Sequence, residues 1–170
     1  MEEPVDDASV TRAPYLSDLV GICRQLNQVG ARYIVMGGMA INVHGFIRAT
    51  EDIDLLIETT LENERKVLEV LALLPDGAAK ELKAGEVSDY VVIRVCDEIT
   101  VDLMAKACGV SYHDAKDEVT TIEVEGEPIP YASPRLLWKT KQTHREKDAI
   151  DCLFLRRLLE DRGEWPVREK

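Results

Sequence analysis

A chain of 170 residues is long enough for one domain with its own core, and 45% hydrophobic with 31% charged residues describes a globular rather than a disordered protein. A formal net charge of −11 argues against a broad, sequence-independent hold on nucleic acid, which is made by Lys and Arg, although the segment from Arg135 to Lys147 is locally basic. No apolar run approaches the roughly 18 residues of a membrane span, and the acidic start from Met1 to Asp7 lacks the regions of a signal peptide, so we expect a cytoplasmic protein with no membrane partner.

In chain order, residues 1–14 carry acids, two prolines and no apolar period, and read as a tail. Ser17 caps a helix to about Val29, with Leu19, Ile22, Cys23, Leu26 and Val29 on one face, and Gly30 ends it. Tyr33 to Met36 is a first strand, Gly38 to His44 a short helix, and Asp52 to Ile57 a second strand. Thr60 opens a periodic helix that Pro75-Asp76-Gly77 stops. Tyr90 to Val95 and Ile99 to Met104 read as a hairpin turning at Cys96-Asp97-Glu98. Residues 105–117 leave room for a short helix; Val119 to Val124 alternates as a strand, and Ile129-Pro130-Tyr131 returns from the turn at 125–127. Ser133-Pro134 starts a helix carrying Leu136, Leu137 and Trp138 inward. The last helix, Arg145 to about Asp161, presents Ile150, Leu153, Phe154, Arg157 and Leu158 along its buried stripe, and 163–170 reads as a second tail. Cys23, Cys96, Cys108 and Cys152 lack metal-ligand or disulfide spacing.

The chemistry concentrates between Gly37 and Asp54. Residues two apart on a strand share a face, so Asp52 and Asp54 project together while Ile53 and Leu55 turn into the core. Two such carboxylates suit a hard divalent cation, which fills its remaining positions with water and substrate phosphate. Gly37-Gly38, between an apolar strand and a helix, offers bare N–H groups to a phosphate. Asp102, on the second hairpin strand, is the candidate third carboxylate, although an acid there can simply face water.

The run Gly37-Gly38, short helix, Arg48-Ala49-Thr50-Glu51-Asp52-Ile53-Asp54 resembles the signature of the DNA polymerase beta-like nucleotidyltransferase superfamily, in particular its small bacterial and archaeal members, among them the AbiEii-type toxins. The resemblance spans about Tyr15 to Asp151, with Gly38 where the commoner form has serine. It implies an α/β (α+β) single domain over 15–162: a mixed β-sheet flanked by helices, with a C-terminal helical segment. It further implies transfer of an NMP from an NTP such as ATP to an acceptor hydroxyl, with pyrophosphate released. Mg2+, or Mn2+ in its place, would be held by Asp52, Asp54 and Asp102, with Asp102 accepting the hydroxyl proton. Gly37, Gly38, Arg48, Lys139 and Lys147 are the nucleotide-binding candidates; Arg48 can equally pair with an acid, and the two lysines can belong to a solvated, salt-bridged face. The acceptor stays open among an RNA end, a protein and a small molecule, and an antitoxin partner and a homodimer both fit. The alternative is a catalytically silent nucleotide-binding or protein-interaction module of the same fold.

Overall fold

A computed structural model describes residues 11–168. The tail expected over 1–14 lies outside the described residues for 1–10; residues 11 and 12 are tied to the hairpin turn, with the Arg12 N–H donating to the Glu98 carbonyl at 2.9 Å.

A six-stranded mixed sheet runs through the molecule in the order β3-β4-β2-β1-β8-β7, built from β1 (Tyr33–Met36), β2 (Asp52–Ile57), β3 (Val92–Cys96), β4 (Thr100–Met104), β7 (Val119–Val124) and β8 (Glu127–Ala132). β5 (Lys106–Ala107) and β6 (Val110–Ser111) form a small separate ribbon. β1 runs antiparallel to β2 and parallel to β8, while β2 runs parallel to β4. All four residues of β1 are buried, as a central strand covered on both faces requires. Ile53, Leu55, Leu56 and Ile57 of β2 are likewise inaccessible, each contributing about 2 kcal/mol of apolar transfer energy.

Helices α1 (Leu16–Gln28), α2 (Gly37–Val43), α3 (Leu61–Leu71), α4 (Glu86–Tyr90), α5 (Tyr112–Ala115), α6 (Pro134–Thr140) and α7 (Glu146–Asp161) complete the described fold. α1 packs on α3 and β8, α2 on β1 and β2, and α6 on α7. α1 starts one residue before the expected cap. Asp18 rather than Ser17 organises its first turn, accepting the Tyr15 N–H at 2.6 Å and both outer nitrogens of Arg12. α3 and α6 begin as read: Thr60 and Ser133 accept from the amides of Asn63 and Leu136. β3 starts two residues later than expected, because Glu86–Tyr90 is helical and Val91 takes a positive φ of 68° between helix and strand. Among the described residues no helix is long and apolar enough to cross a membrane.

The last helix is rotated from its expected orientation. Its inward residues are Asp148, Asp151, Leu155 and Leu159, whereas Ile150 and Leu153 are 54% and 73% exposed. Two acids replace two aliphatics on the buried face because basic partners wait there.

Candidate active site

Strand register assembles the site. Met36 on β1 lies opposite Asp54 on β2, Asp54 opposite Asp102 on β4, and Asp102 opposite Arg94 on β3. One transverse row of the sheet therefore carries Met36, Asp54, Asp102 and Arg94, with Asp52 two residues back on β2 and Gly37 just beyond Met36. The three carboxylates can each offer an oxygen within 4.8 Å of the others. Glu51, of opposite parity, faces solvent.

The carboxylates carry more negative charge than their surroundings balance. Arg94 donates to Asp102 through Nε and Nη2, each at 2.9 Å, and reaches Asp52 with Nη2 at 3.3 Å. Among the described residues it pairs with two of the three acids, and Asp54 forms no ion pair. Burial, then the charges of Asp102 and Asp52, pushes the Asp54 carboxyl up to about 7. Burial and the Asp102 charge raise Asp52 as well. The cluster could hold a divalent cation, which would supply the missing positive charge, and its all-oxygen donor set is of the kind that suits Mg2+ or Mn2+.

The glycines are required by β2 and by the loop before it. A Cβ on Gly37, which sits at φ +61°, would run into Asp54 Oδ2, and one on Gly38 would run into the Thr50 methyl. Bare backbone at the head of α2 is thus a condition of Asp54 and Thr50 packing there, and it leaves the first amides of the helix open. Two adjoining cavities, of about 350 and 100 Å³, share Gly37, Asp52, Asp54, Lys141, Arg145 and Asp148. The smaller adds Gly38, Arg48, Thr50 and Lys147; the larger extends past Arg94 and Asp102 to Val92, Met104 and Ala107. A roomier apolar cavity of about 530 Å³ against Tyr15, Leu16, Met39 and Tyr131 contains none of the three acids.

The basic candidates are divided. Arg48 borders the small cavity, but Asp151 holds its guanidinium through Nε at 2.9 Å and Nη2 at 2.7 Å. Lys147 is at the rim, 3.8 Å from Glu51. Lys139 lines neither cavity and is bound to Glu118 at 2.7 Å. Lys141 and Arg145 instead line both. Lys141 is 7% exposed, 2.8 Å from Asp151 and 3.6 Å from Asp148, and the Arg145 Nε donates to Asp148 at 3.1 Å. Sequence reasoning missed Arg94 and Lys141. Hairpin register with the turn at 97–99 places Arg94 beside Asp102, since two residues on each strand separate them from that turn; no comparable signal marks Lys141.

Solved structures share this architecture, among them the following two. An antigenic nucleotidyltransferase-like protein from Paracoccidioides brasiliensis aligns at TM-score 0.55 and 17% identity, over 88% of this chain and 79% of its own. The fold is nucleotidyltransferase-like. The lincosamide antibiotic adenylyltransferase LnuA, solved with lincomycin bound, aligns at TM-score 0.53 and 13% identity, over 85% of this chain and 98% of its own. No family model and no curated protein sequence matches the chain. Within the nucleotidyltransferase-like fold, the acidic row and glycine turn are the candidate site.

Proposed function

We propose that the protein is a divalent-cation-dependent nucleotidyltransferase, moving an NMP from an NTP to an acceptor hydroxyl. The observation that carries this reading is the convergence of Asp52, Asp54 and Asp102 with the bare amides of Gly37 and Gly38 in one pair of cavities. Asp52, Asp54 and Asp102 would hold Mg2+ or Mn2+, which stabilises charge developing on phosphate and on the attacking and leaving oxygens. The amides at the head of α2, with Lys141, Arg145 and Lys147 around the smaller cavity, bind the triphosphate. The acceptor oxygen bonds to the α-phosphorus, the bond to the β-phosphate oxygen breaks, and pyrophosphate leaves with that electron pair. Asp102 takes the hydroxyl proton. The larger cavity, walled by Val92, Met104 and Ala107 beside Asp102, receives the acceptor. Its size and partly apolar wall favour a small molecule or a single protruding side chain over an RNA end, in line with the negative overall charge. Action in the cytoplasm belongs to this reading. An AbiEii-like role adds an antitoxin partner, which would co-purify with the native protein.

One observation favours the silent alternative: Arg94 already occupies two of the three carboxylates. Incubation with Mg2+, each α-labelled NTP and cellular fractions of RNA, protein and small molecules separates the readings. Transfer of label to one fraction, abolished in the Asp52→Ala/Asp54→Ala protein, is the expected result. Saturable NTP binding without transfer supports the silent module, and neither binding nor transfer removes the nucleotide site.

A further inference from the structure

The face of α7 turned away from the sheet has the pattern of a helix that pairs with its own copy. Asp148, Asp151, Leu155 and Leu159 point inward. At 100° per residue, Glu146, Ile150, Leu153 and Arg157 fall on the opposite side of the helix, and all four are exposed. Their spacing of four, three and four residues is that of the seam of a two-helix coiled coil. Ile150 and Leu153, 54% and 73% exposed, form its apolar centre.

We infer that this face binds a second copy of the chain, α7 against α7 in antiparallel orientation about a two-fold axis midway between Ile150 and Leu153. In that register Ile150 of each protomer meets Leu153 of its partner, and Glu146 of each meets Arg157 of its partner. The charges select the occupant. Among the described residues neither Glu146 nor Arg157 forms an ion pair within the chain. A two-fold axis at the apolar pair's midpoint brings these opposite charges together twice. A parallel pairing would oppose Glu146 to Glu146 and Arg157 to Arg157. Lys147 and Arg156, which flank the seam, are already engaged by Glu51 and Glu160 and add no unbalanced charge to it. The inference does not depend on the catalytic proposal, because none of the four residues lines either cavity.

Sedimentation velocity on the full chain across micromolar concentrations tests it, with circular dichroism verifying that each variant is folded. The wild type should approach twice 19.1 kDa. L153E, which places a charge at the apolar centre twice, should raise the dimer dissociation constant by about a hundredfold or more. E146R and R157E should each weaken the dimer by roughly three- to tenfold, and the E146R/R157E protein should return to within about threefold of wild type. A wild type that stays monomeric, or an L153E protein that stays dimeric, overturns the inference. Failure of the double exchange to restore pairing overturns the antiparallel register.

Discussion

Two acidic clusters meet at the same cavities and differ in how they are neutralised. On the sheet, three carboxylates on β2 and β4 face one guanidinium, and Asp54 is pushed up to about 7. Beneath α7, two carboxylates face three cations: Asp151 takes Arg48 and Lys141, and Asp148 takes Arg145 and Lys141 together with the Thr143 hydroxyl. Burial tends to raise Asp148 as it raises Asp54, yet its bonds to Thr143 and Arg145 and the charge of Lys141 outweigh burial and hold it below the usual carboxylate range. The same residue type thus serves opposite ends. An ion pair satisfied within the chain braces the helix, whereas acids left short of positive charge are candidates to take it from solution.

The sharpest way to break the contrast is to neutralise one acid in each cluster. Asp54→Asn removes charge from the overloaded set, and we expect nucleotidyl transfer to fall by about a thousandfold or more. The melting temperature should stay the same or rise, because mutual repulsion is relieved. Asp151→Ala does the reverse. It leaves the buried Lys141 and the half-buried Arg48 without their main partner and should cost about 3 kcal/mol in urea denaturation. An Asp54→Asn protein that unfolds, or an Asp151→Ala protein of native stability, would erase the distinction.

A smaller effect has a definite sign. The Asp148 carboxyl is lowered on folding, so its contribution is full above about pH 5 and fades as the pH falls through the unfolded value of about 3.9 toward the lower folded one. Asp148→Asn should therefore be less stable than wild type by about 2 kcal/mol at pH 7, with the gap closing below pH 4. A gap independent of pH would mean that Asp148 acts through packing rather than charge.

The acidic row and the glycine turn were legible because local rules place them: period-two alternation puts Asp52 and Asp54 together, and Gly37-Gly38 stands between an apolar strand and a helix. Most strand limits followed from the same alternation, whereas the mixed sheet was what the resemblance implied. The inward face of α7 was hidden because hydrophobic periodicity assigns the core to Ile150 and Leu153, and it cannot register that Asp148 and Asp151 enter the core as parts of ion pairs. Lys139 lies away from the cavities for a related reason, while Lys147 borders the smaller one. Lys139 and Lys141 differ by two positions where the end of α6 gives way to loop, and that turn of backbone sends one to Glu118 and the other to the cavities. Arg48, expected to clamp phosphate or to pair with an acid, is paired.

The most direct measurement is Mn2+ binding, followed by electron paramagnetic resonance with a non-hydrolysable NTP present, in wild type, Asp54→Asn and Asp148→Asn. We expect saturable binding in wild type, its loss in Asp54→Asn, and its retention in Asp148→Asn. Equal binding in wild type and Asp54→Asn, or none in wild type, would contradict the assignment of the sheet carboxylates as the cation site.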